Sequence, residues 1–314
     1  METAREEREG VAGVGELLTS GPPRHDGADG PVRRFAVVGS PVGHSLSPVM
    51  HRTAYAELGI TDAVYDRYDV PARQLADFLC SDVGEGLQGL SVTMPGKPEA
   101  FALAARRDAT AELLGVANTL LRHGDGSWRA ENHDVHGIVA ALRDHGATGG
   151  GTGAVLGSGA TALCAVAALA QLGVQEVLLS ARSPEKLTPL EQLAEGAGIT
   201  VEMVPFDRSE ALLGADILIS ALAAPGARAV ADRWGGLAAR DVPGVLLDVL
   251  YDPWPAPIAG LLSADGAEVA DGLEMLAHQA GQQVRSMLAV PEAPVAAMLA
   301  AARNEIGAYP APGQ

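Results

Sequence analysis

The chain has 314 residues, of which 47% are hydrophobic and 19% charged, and its formal net charge at pH 7 is -17. This balance is typical of a folded globular protein, and the length suffices for two domains that each bury a core. The negative charge disfavours nucleic acid as a partner, because phosphate binding needs clustered Lys and Arg. The most apolar stretch, 160–170, is about half of the roughly 20 residues that cross a bilayer, so we expect no membrane segment.

Residues 1–30 are rich first in Glu and then in Gly, Pro and Asp, without the basic and apolar order of a secretion signal. We therefore predict a flexible N-terminal tail. Cys80 and Cys164 offer neither a disulfide framework nor the spacing of a zinc site. Reduced thiols of this kind are typical of a cytoplasmic protein.

The first half of the chain alternates short β-rich runs with longer helical patterns. We predict strands at 35–39, 63–70 and 87–93, with helices at 48–58 and 72–79 between them. This order predicts an α/β fold with a mainly parallel sheet.

A second α/β series follows a Gly-rich stretch at 146–153. Its patterns predict one helix that ends near residue 172 and a last helix near the C-terminus. The predicted strands of this series are 154–156, 177–179, 199–204, 217–220 and 245–249, and the last helix is 273–288.

A Gly-x-Gly turn stands between a predicted strand and a predicted helix, in the stretch Gly157-Ser158-Gly159-Ala160-Thr161-Ala162. Glycine lets the backbone approach a pyrophosphate, and free amides at a helix N-terminus attract its charge. The motif is weak by itself, since a plain strand-to-helix turn can show the same pattern.

The end of the next predicted strand indicates which dinucleotide would bind. It reads Ala181-Arg182-Ser183, with no acid to hold the ribose hydroxyls as an NAD site requires. Arg182 can bind a 2′-phosphate through its forked guanidinium, Ser183 can donate a hydrogen bond, and Lys186 follows one turn later. The stretch predicts NADP as the cofactor, unless these cations merely coat the start of a helix.

Other polar residues are ambiguous from spacing alone. Ser45 and Ser47 precede a predicted helix and could hold a small carboxylate, but Ser47 could equally be a helix N-cap. Lys97 follows Pro95-Gly96 at a strand-to-helix corner. Asn118 and Asp134 lie in polar turns, where such residues commonly form the turn itself.

Six ordered motifs resemble those of the shikimate dehydrogenase family, and the resemblance extends from residue 33 to 290. It implies a Rossmann-like NADP-binding domain at 134–272, an α/β substrate-binding domain at 31–133, and C-terminal helices at 273–314 that pack back on the latter. The protein would act as a monomer or homodimer. The motifs are residues 39–48, 92–97, 116–119, 132–134, 248–253 and 272–280.

The resemblance implies the reversible NADPH-linked reduction of 3-dehydroshikimate to shikimate, in aromatic amino acid biosynthesis. It implies that Lys97 and Asp134 are the catalytic pair that moves a proton on the reacting oxygen. The implied substrate-binding residues are Ser45, Ser47, Ser91, Thr93, Asn118, Tyr251 and Gln279. The implied cofactor-binding residues are Gly157, Ser158, Gly159, Ala160, Thr161, Ala181, Arg182, Ser183, Lys186, Ala221, Leu222, Val249 and Gly272.

Departures from the family pattern keep other functions open. Ser91 stands where asparagine is common, His133 where threonine is usual and Val135 where glycine is usual. A quinate or aminoshikimate dehydrogenase of secondary metabolism is therefore an alternative, and a non-catalytic sensor of NADPH or shikimate is another. Although His133 and His136 flank Asp134, nothing nearby completes a tetrahedral ligand set, so we expect no metal.

Overall fold

A computed structural model of the protein describes residues 32–252 and 254–307, which form two sheets covered by helices. The predicted tail at 1–30 and Pro253, the last residue of one motif, lie outside the described residues. Across these two ranges, no helix combines the length and the apolar character that a bilayer span needs.

The first sheet is mixed. Its strands are β1 (Arg33–Gly39), β2 (Ala63–Asp69), β3 (Gly89–Val92), β4 (Arg106–Arg107), β5 (Thr119–Arg122) and β6 (Trp128–Glu131), and its helices are α1 (Ser47–Glu57), α2 (Leu75–Leu79), α3 (Asp82–Glu85), α4 (Lys97–Leu103) and α5 (Ala109–Leu114). The strand order is β2-β1-β3-β5-β6-β4, with β1 parallel to both its neighbours. The strand β5 is antiparallel to β3, and a short turn with Gly124 and Gly126 joins β5 to β6 as an antiparallel hairpin.

The second sheet is entirely parallel. Its strands are β7 (Thr152–Leu156), β8 (Glu176–Ser180), β9 (Thr200–Met203), β10 (Ile217–Ser220), β11 (Val245–Asp248) and β12 (Glu268–Asp271). The helices that accompany this sheet are α6 (Asp134–Asp144), α7 (Ala160–Gln171), α8 (Thr188–Gly196), α9 (Ala224–Gly235) and α10 (Pro257–Ala264). Two further helices, α11 (Gly272–Leu288) and α12 (Val295–Ile306), follow β12. The order β12-β11-β10-β7-β8-β9 is that of a Rossmann sheet. Successive strands are added first on one side of β7 and then, from β10 onward, on its other side. This order confirms the predicted α/β class and places a ligand crevice at the carboxyl ends of those two strands.

The helix α11 starts at the second sheet and packs on the first. Its residues Leu273, Ala277 and Val284 recur at helical spacing, and they are buried in one apolar cluster with Phe35 and Val37 of β1. The predicted helix at 273–288 is confirmed, and α12 lies in the range 273–314 where C-terminal helices were predicted, whereas the strands β4 to β6 and β12 were not predicted. These strands have two to four residues each, and none contains the three adjacent large apolar residues that mark the equally short β10.

Two adjacent helices connect the sheets, since α6 leads from the first to the second and α11 returns. Hydrogen bonds join the C-terminal end of α6 to the first turns of α11: Glu274 lies 2.8 Å from His145, and Asp144 lies 2.8 Å from His278. A capping box between Asp271 and Glu274 fixes the start of α11 on the last strand of the second sheet. The two sheets are therefore held by a pair of packed helices as well as by the chain.

A buried carboxyl at the end of β11 makes the stability of this fold depend on pH. Asp248 is fully buried, and its Oδ2 has no hydrogen-bond partner among the described residues. Burial raises the pKa of Asp248 to about 7, although the N–H of Leu250 favours the charged form. The folded chain therefore holds this proton more tightly than the unfolded chain, and stability is lost as the pH rises from roughly 4 towards 7.

We expect the isosteric change Asp248→Asn to raise the midpoint of thermal unfolding at about pH 8, where it removes a buried charge. The gain should shrink towards about pH 5, where the native carboxyl already carries its proton. Thermal unfolding followed by circular dichroism at both pH values measures the difference, with the exposed Asp241→Asn as control. A gain of equal size at both pH values would contradict the account.

Candidate functional site

The side chains of Lys97 and Asp134, which begin α4 and α6, form a buried ion pair. The Lys97 Nζ lies 2.5 Å from Asp134 Oδ2, and the two side chains are only 14% and 7% exposed. Burial disfavours the charged lysine, but the Asp134 carboxylate outweighs it, so that the pKa of Lys97 is raised above its usual value. Lys97 is therefore a cation at neutral pH and can donate a proton.

Polar side chains hold the carboxylate of this pair. Asn118 donates through Nδ2 to Asp134 Oδ1 at 2.8 Å and to Gln279 Oε1 at 3.0 Å. The carbonyl oxygen of the Asn118 side chain accepts from the backbone N–H of His133 and from the Thr119 hydroxyl. Asn118 and Gln279, both predicted to bind substrate, thus lie beside the predicted catalytic pair.

The two predicted carboxylate-binding serines lie at the start of α1. The helix begins at Ser47 with Leu46 in the N-cap position, so the alternative of Ser47 as a helix N-cap is wrong. The backbone N–H of Ser47 lies 3.4 Å from the hydroxyl oxygen of Ser45. Ser45 and Tyr251 face one cavity of about 280 Å³, which brings the predicted Tyr251 to the same place. The hydroxyls of Ser45 and Ser47, next to the N-terminus of a helix, suit a small carboxylate.

Thr93 lies where the chain leaving β3 passes the end of β1. Its backbone N–H donates to the carbonyl of Val38 at 2.9 Å. A Cβ at Gly39 would lie 2.7 Å from the carbonyl oxygen of Met94, so only glycine allows this approach. The glycine thereby brings the loop before Ser45 next to Thr93.

Ser91 is buried beneath the site and contacts two residues that were not predicted. It accepts a hydrogen bond from the Tyr65 hydroxyl at 2.6 Å and donates one to Gln283 Oε1 at 2.7 Å. Another residue that was not predicted, Cys164 of α7, contacts Asp134: its sulfur lies 3.9 Å from Asp134 Oδ2. Burial raises the pKa of the Cys164 thiol to about 12. The available signal for Gln283 was its position one helical turn after a predicted site residue.

The Gly-x-Gly turn lies at the reversal point of the second sheet. Gly157 has φ of 132°, and a Cβ there would lie 2.7 Å from the carbonyl oxygen of Ala221, which follows β10. Gly159 is the N-cap of α7, with no side-chain cap and no atom within 4 Å of where its Cβ would be. The partly exposed residues of this turn, with the loop residue after Ala221, are Ser158, Ala160, Thr161 and Leu222. An uncapped helix start beside open space fits a pyrophosphate.

The predicted phosphate-binding cations follow β8. Ala181 is buried at the strand end, whereas Arg182 and Lys186 are exposed and Ser183 is partly exposed. Over the described ranges, no ion pair engages either cation. Both remain available for an anionic group, which fits the 2′-phosphate of NADP.

The other two predicted cofactor residues contact each other at the start of α11. Any Cβ on Gly272 would overlap the carbonyl oxygen of Val249. The end of β11 and the start of α11 therefore approach as closely as glycine allows. This contact lies two strands from the Gly-x-Gly turn, on the same edge of the sheet.

The two histidines beside Asp134 have other neighbours. His133 Nε2 lies 3.0 Å from Glu131, and His136 Nε2 lies 3.0 Å from the amide of Gln282. In the part of the chain that the structure describes, no group of three or more His, Cys, Asp or Glu side chains is placed to hold a metal ion.

Comparisons with known proteins agree with this architecture. The family model described as the shikimate dehydrogenase substrate binding domain matches residues 37–120. Shikimate dehydrogenase (NADP(+)) of Synechococcus sp. (strain JA-3-3Ab) is 31% identical over 281 residues, covering 88% of this chain and 95% of that protein. Shikimate dehydrogenase (NADP(+)) of Methylobacterium radiotolerans is 34% identical over 253 residues, covering 79% of this chain and 88% of that protein.

Solved structures give the same result. The crystal structure of Mycobacterium tuberculosis shikimate dehydrogenase superposes with a TM-score of 0.77 at 38% identity, covering 86% of this chain and 99% of that one. The Thermus thermophilus shikimate 5-dehydrogenase, solved in complex with NADP(H) and shikimate, superposes at 0.74 with 28% identity over 87% of this chain and 99% of that one. Because the similarity spans nearly the full length of the relatives, this chain belongs to the shikimate dehydrogenase family.

Proposed function

We propose that this protein catalyses the reversible NADP-linked reduction of 3-dehydroshikimate to shikimate. The observation that carries the proposal is the buried Lys97–Asp134 pair, which lies among side chains that can bind ring hydroxyls. The family relationship supports it, since the relatives carry that name. Free thiols at Cys80 and Cys164 are consistent with a reaction in the cytoplasm.

In this reaction NADPH supplies the hydride that reaches the carbonyl carbon of the substrate. The carbonyl oxygen gains negative charge and needs a proton. The Lys97 ammonium donates it, or stabilises the developing charge, and in the oxidation direction the neutral amine accepts it. Asp134 keeps Lys97 protonated between turnovers, because its carboxylate raises the pKa of the lysine.

The remaining predicted residues have separate tasks in this proposal. The domain at 31–133, with the helices at 273–314, holds the substrate: Ser45, Ser47 and Tyr251 bind its carboxylate. The domain at 134–272 holds NADP, with the pyrophosphate at the uncapped start of α7. The ring hydroxyls would contact Ser91, Thr93, Asn118, Asp134 and Gln279, and Val249 and Gly272 would hold the nicotinamide.

The direct test is an assay of the purified protein with NADP and shikimate, followed by the absorbance of NADPH. Quinate and an amino analogue of shikimate serve as competing substrates, because Ser91 replaces a common asparagine at the hydroxyl-binding position. A higher kcat/KM for shikimate supports the proposal. Preference for another ring acid would reassign the substrate, and binding of NADPH without any turnover would indicate a sensor.

Arg182→Ala tests the choice of cofactor. Losing a charge-assisted contact to the 2′-phosphate should weaken NADP binding by about 1.5–3 kcal/mol, or roughly ten- to a hundredfold in Kd, and leave NAD binding unchanged. Calorimetric titration with both dinucleotides measures this, and Arg208→Ala, at another exposed arginine of the same domain, serves as a matched control. Equal weakening of NADP and NAD would refute the assignment.

A further inference from the structure

The side chain of Gln283 uses all of its hydrogen-bonding positions beneath the site. It is 1% exposed. Its Oε1 accepts from the Ser91 hydroxyl at 2.7 Å and faces His51 Nε2 at 3.4 Å. Its Nε2 donates to the backbone carbonyl of Asn118 and to Thr119 Oγ1, both at 3.0 Å. One amide therefore joins α11 to β3 and β5 of the first sheet.

The orientation of this amide follows from its partners. A backbone carbonyl can only accept, so Gln283 Nε2 must face Asn118 and Oε1 must face Ser91. The Ser91 proton is then committed to Gln283, and the Tyr65 hydroxyl donates to Ser91 at 2.6 Å. Towards a substrate hydroxyl, Ser91 is left as an acceptor.

The same orientation is passed on towards the acid–base pair. Thr119 accepts from Gln283, so its own proton goes to Asn118 Oδ1 at 2.8 Å. That oxygen also accepts the backbone N–H of His133. The Nδ2 of Asn118 is thereby turned to Asp134 Oδ1 at 2.8 Å. Each of these hydrogen bonds has one possible donor and one possible acceptor, because the neighbouring hydrogen bonds already fix which atom of each group donates.

We propose that Gln283 is a positioning residue of this site. It fixes the direction of the hydrogen bond from Thr119 to Asn118, which together with the N–H of His133 holds the Asn118 amide on Asp134, and it leaves Ser91 as an acceptor for a ring hydroxyl of the substrate. The effect on turnover rests on the proposed function, whereas the orientation of Asn118 does not.

Two substitutions separate orientation from packing. Gln283→Met keeps the volume and removes every hydrogen bond. Gln283→Glu keeps the shape, but a carboxylate has no donor, so the Thr119 hydroxyl would turn towards it and away from Asn118. Protonation of the introduced carboxyl returns one donor, and burial raises a carboxyl pKa towards the assay range.

The two titratable groups that contact Gln283 or its partner Ser91 stay neutral in that range. Burial lowers the pKa of His51 to about 3 and raises that of Tyr65, against the opposing hydroxyls of Ser91 and Ser47. A pH effect specific to Gln283→Glu can therefore be assigned to the introduced carboxyl.

The expected kinetic result has three parts. In Gln283→Met, kcat/KM for shikimate falls about ten- to a hundredfold at every pH, an effect of the size expected when one or two buried hydrogen bonds that support the site are lost. The KM for NADP is unchanged. In Gln283→Glu the same loss at about pH 8 diminishes towards about pH 6. Gln282→Met, whose side chain contacts His136 on the outer face, behaves as wild type. Variants of Gln283 with wild-type kinetics would overturn the proposal.

A second measurement does not depend on turnover. In the wild type, the Asn118 side-chain amide protons should exchange slowly with solvent by NMR, and in Gln283→Met they should exchange faster, with the Gln282→Met spectrum unchanged. Equal exchange in all three proteins would refute the inference even if shikimate is not the substrate. If the wild type fails to oxidise shikimate while exchange still responds to Gln283→Met, the proposed function fails and the positioning role stands.

Discussion

Lys97→Ala is expected to lower kcat by about 10²- to 10⁴-fold and to change the KM for shikimate little. A group that transfers a proton acts mainly in the transition state, so its removal affects turnover more than substrate binding. Steady-state kinetics in both directions measure the change. Thermal unfolding should be recorded alongside, because the variant leaves the Asp134 carboxylate buried without its partner.

Lys97→Arg separates the two possible roles of the lysine. Arginine keeps the positive charge but does not lose its proton, so a proton relay fails in this variant while charge stabilisation partly survives. Activity of Lys97→Ala close to that of the wild type would exclude both roles and with them the proposed mechanism.

Asp134→Asn is expected to lower kcat about a hundredfold or more and to shift its pH dependence. Without the carboxylate, the main group that opposes burial is gone, so the pKa of Lys97 falls below that of the wild type. Reduction of the ketone needs the protonated lysine, so its rate should decline at a lower pH than in the wild type. The pH profile of kcat for 3-dehydroshikimate, recorded for both proteins, measures this shift.

The double variant Lys97→Ala/Asp134→Asn provides the control. If the two residues act as one unit, the double variant is no slower than Lys97→Ala alone, because the second change removes a partner that has already lost its function. Multiplied losses would show that Asp134 acts independently of Lys97. An unshifted pH profile in Asp134→Asn would contradict the role given to the carboxylate.

The sequence predicted the inner strands β7, β8, β10 and β11 of the second sheet well because both faces of each are buried. The stretch Ile217–Ser220 matches β10 in both ends, and Ala154, Val155 and Leu156 are fully buried in β7. Such strands read as uninterrupted apolar runs, which patterns detect. The short hairpin at β5 and β6 gives no comparable signal.

The catalytic pair and its neighbours could be predicted because they lie in ordered motifs. The contacts of Gln283 could not, since its partner Ser91 is 192 residues away in the chain. Such a contact depends on how α11 lies across the first sheet, and no local pattern encodes that. A serine in place of asparagine appeared only as a departure from the family, whereas the structure shows a hydroxyl already paired with Tyr65 and Gln283.

The paired helices α6 and α11 have a mechanical consequence. The contacts His145–Glu274 and His278–Asp144 join the two helices at the end next to the second sheet, while α11 packs on the first sheet, so we expect the pair to limit sliding of one sheet past the other. Asp134 begins α6, and its carboxylate is bonded to Lys97. We expect a change in the angle between the two sheets to alter the distance from Lys97 to the Gly-x-Gly turn and to leave the distance between the ammonium and the carboxylate unchanged. In the proposed mechanism, opening for product release then leaves Lys97 and Asp134 assembled for the next substrate.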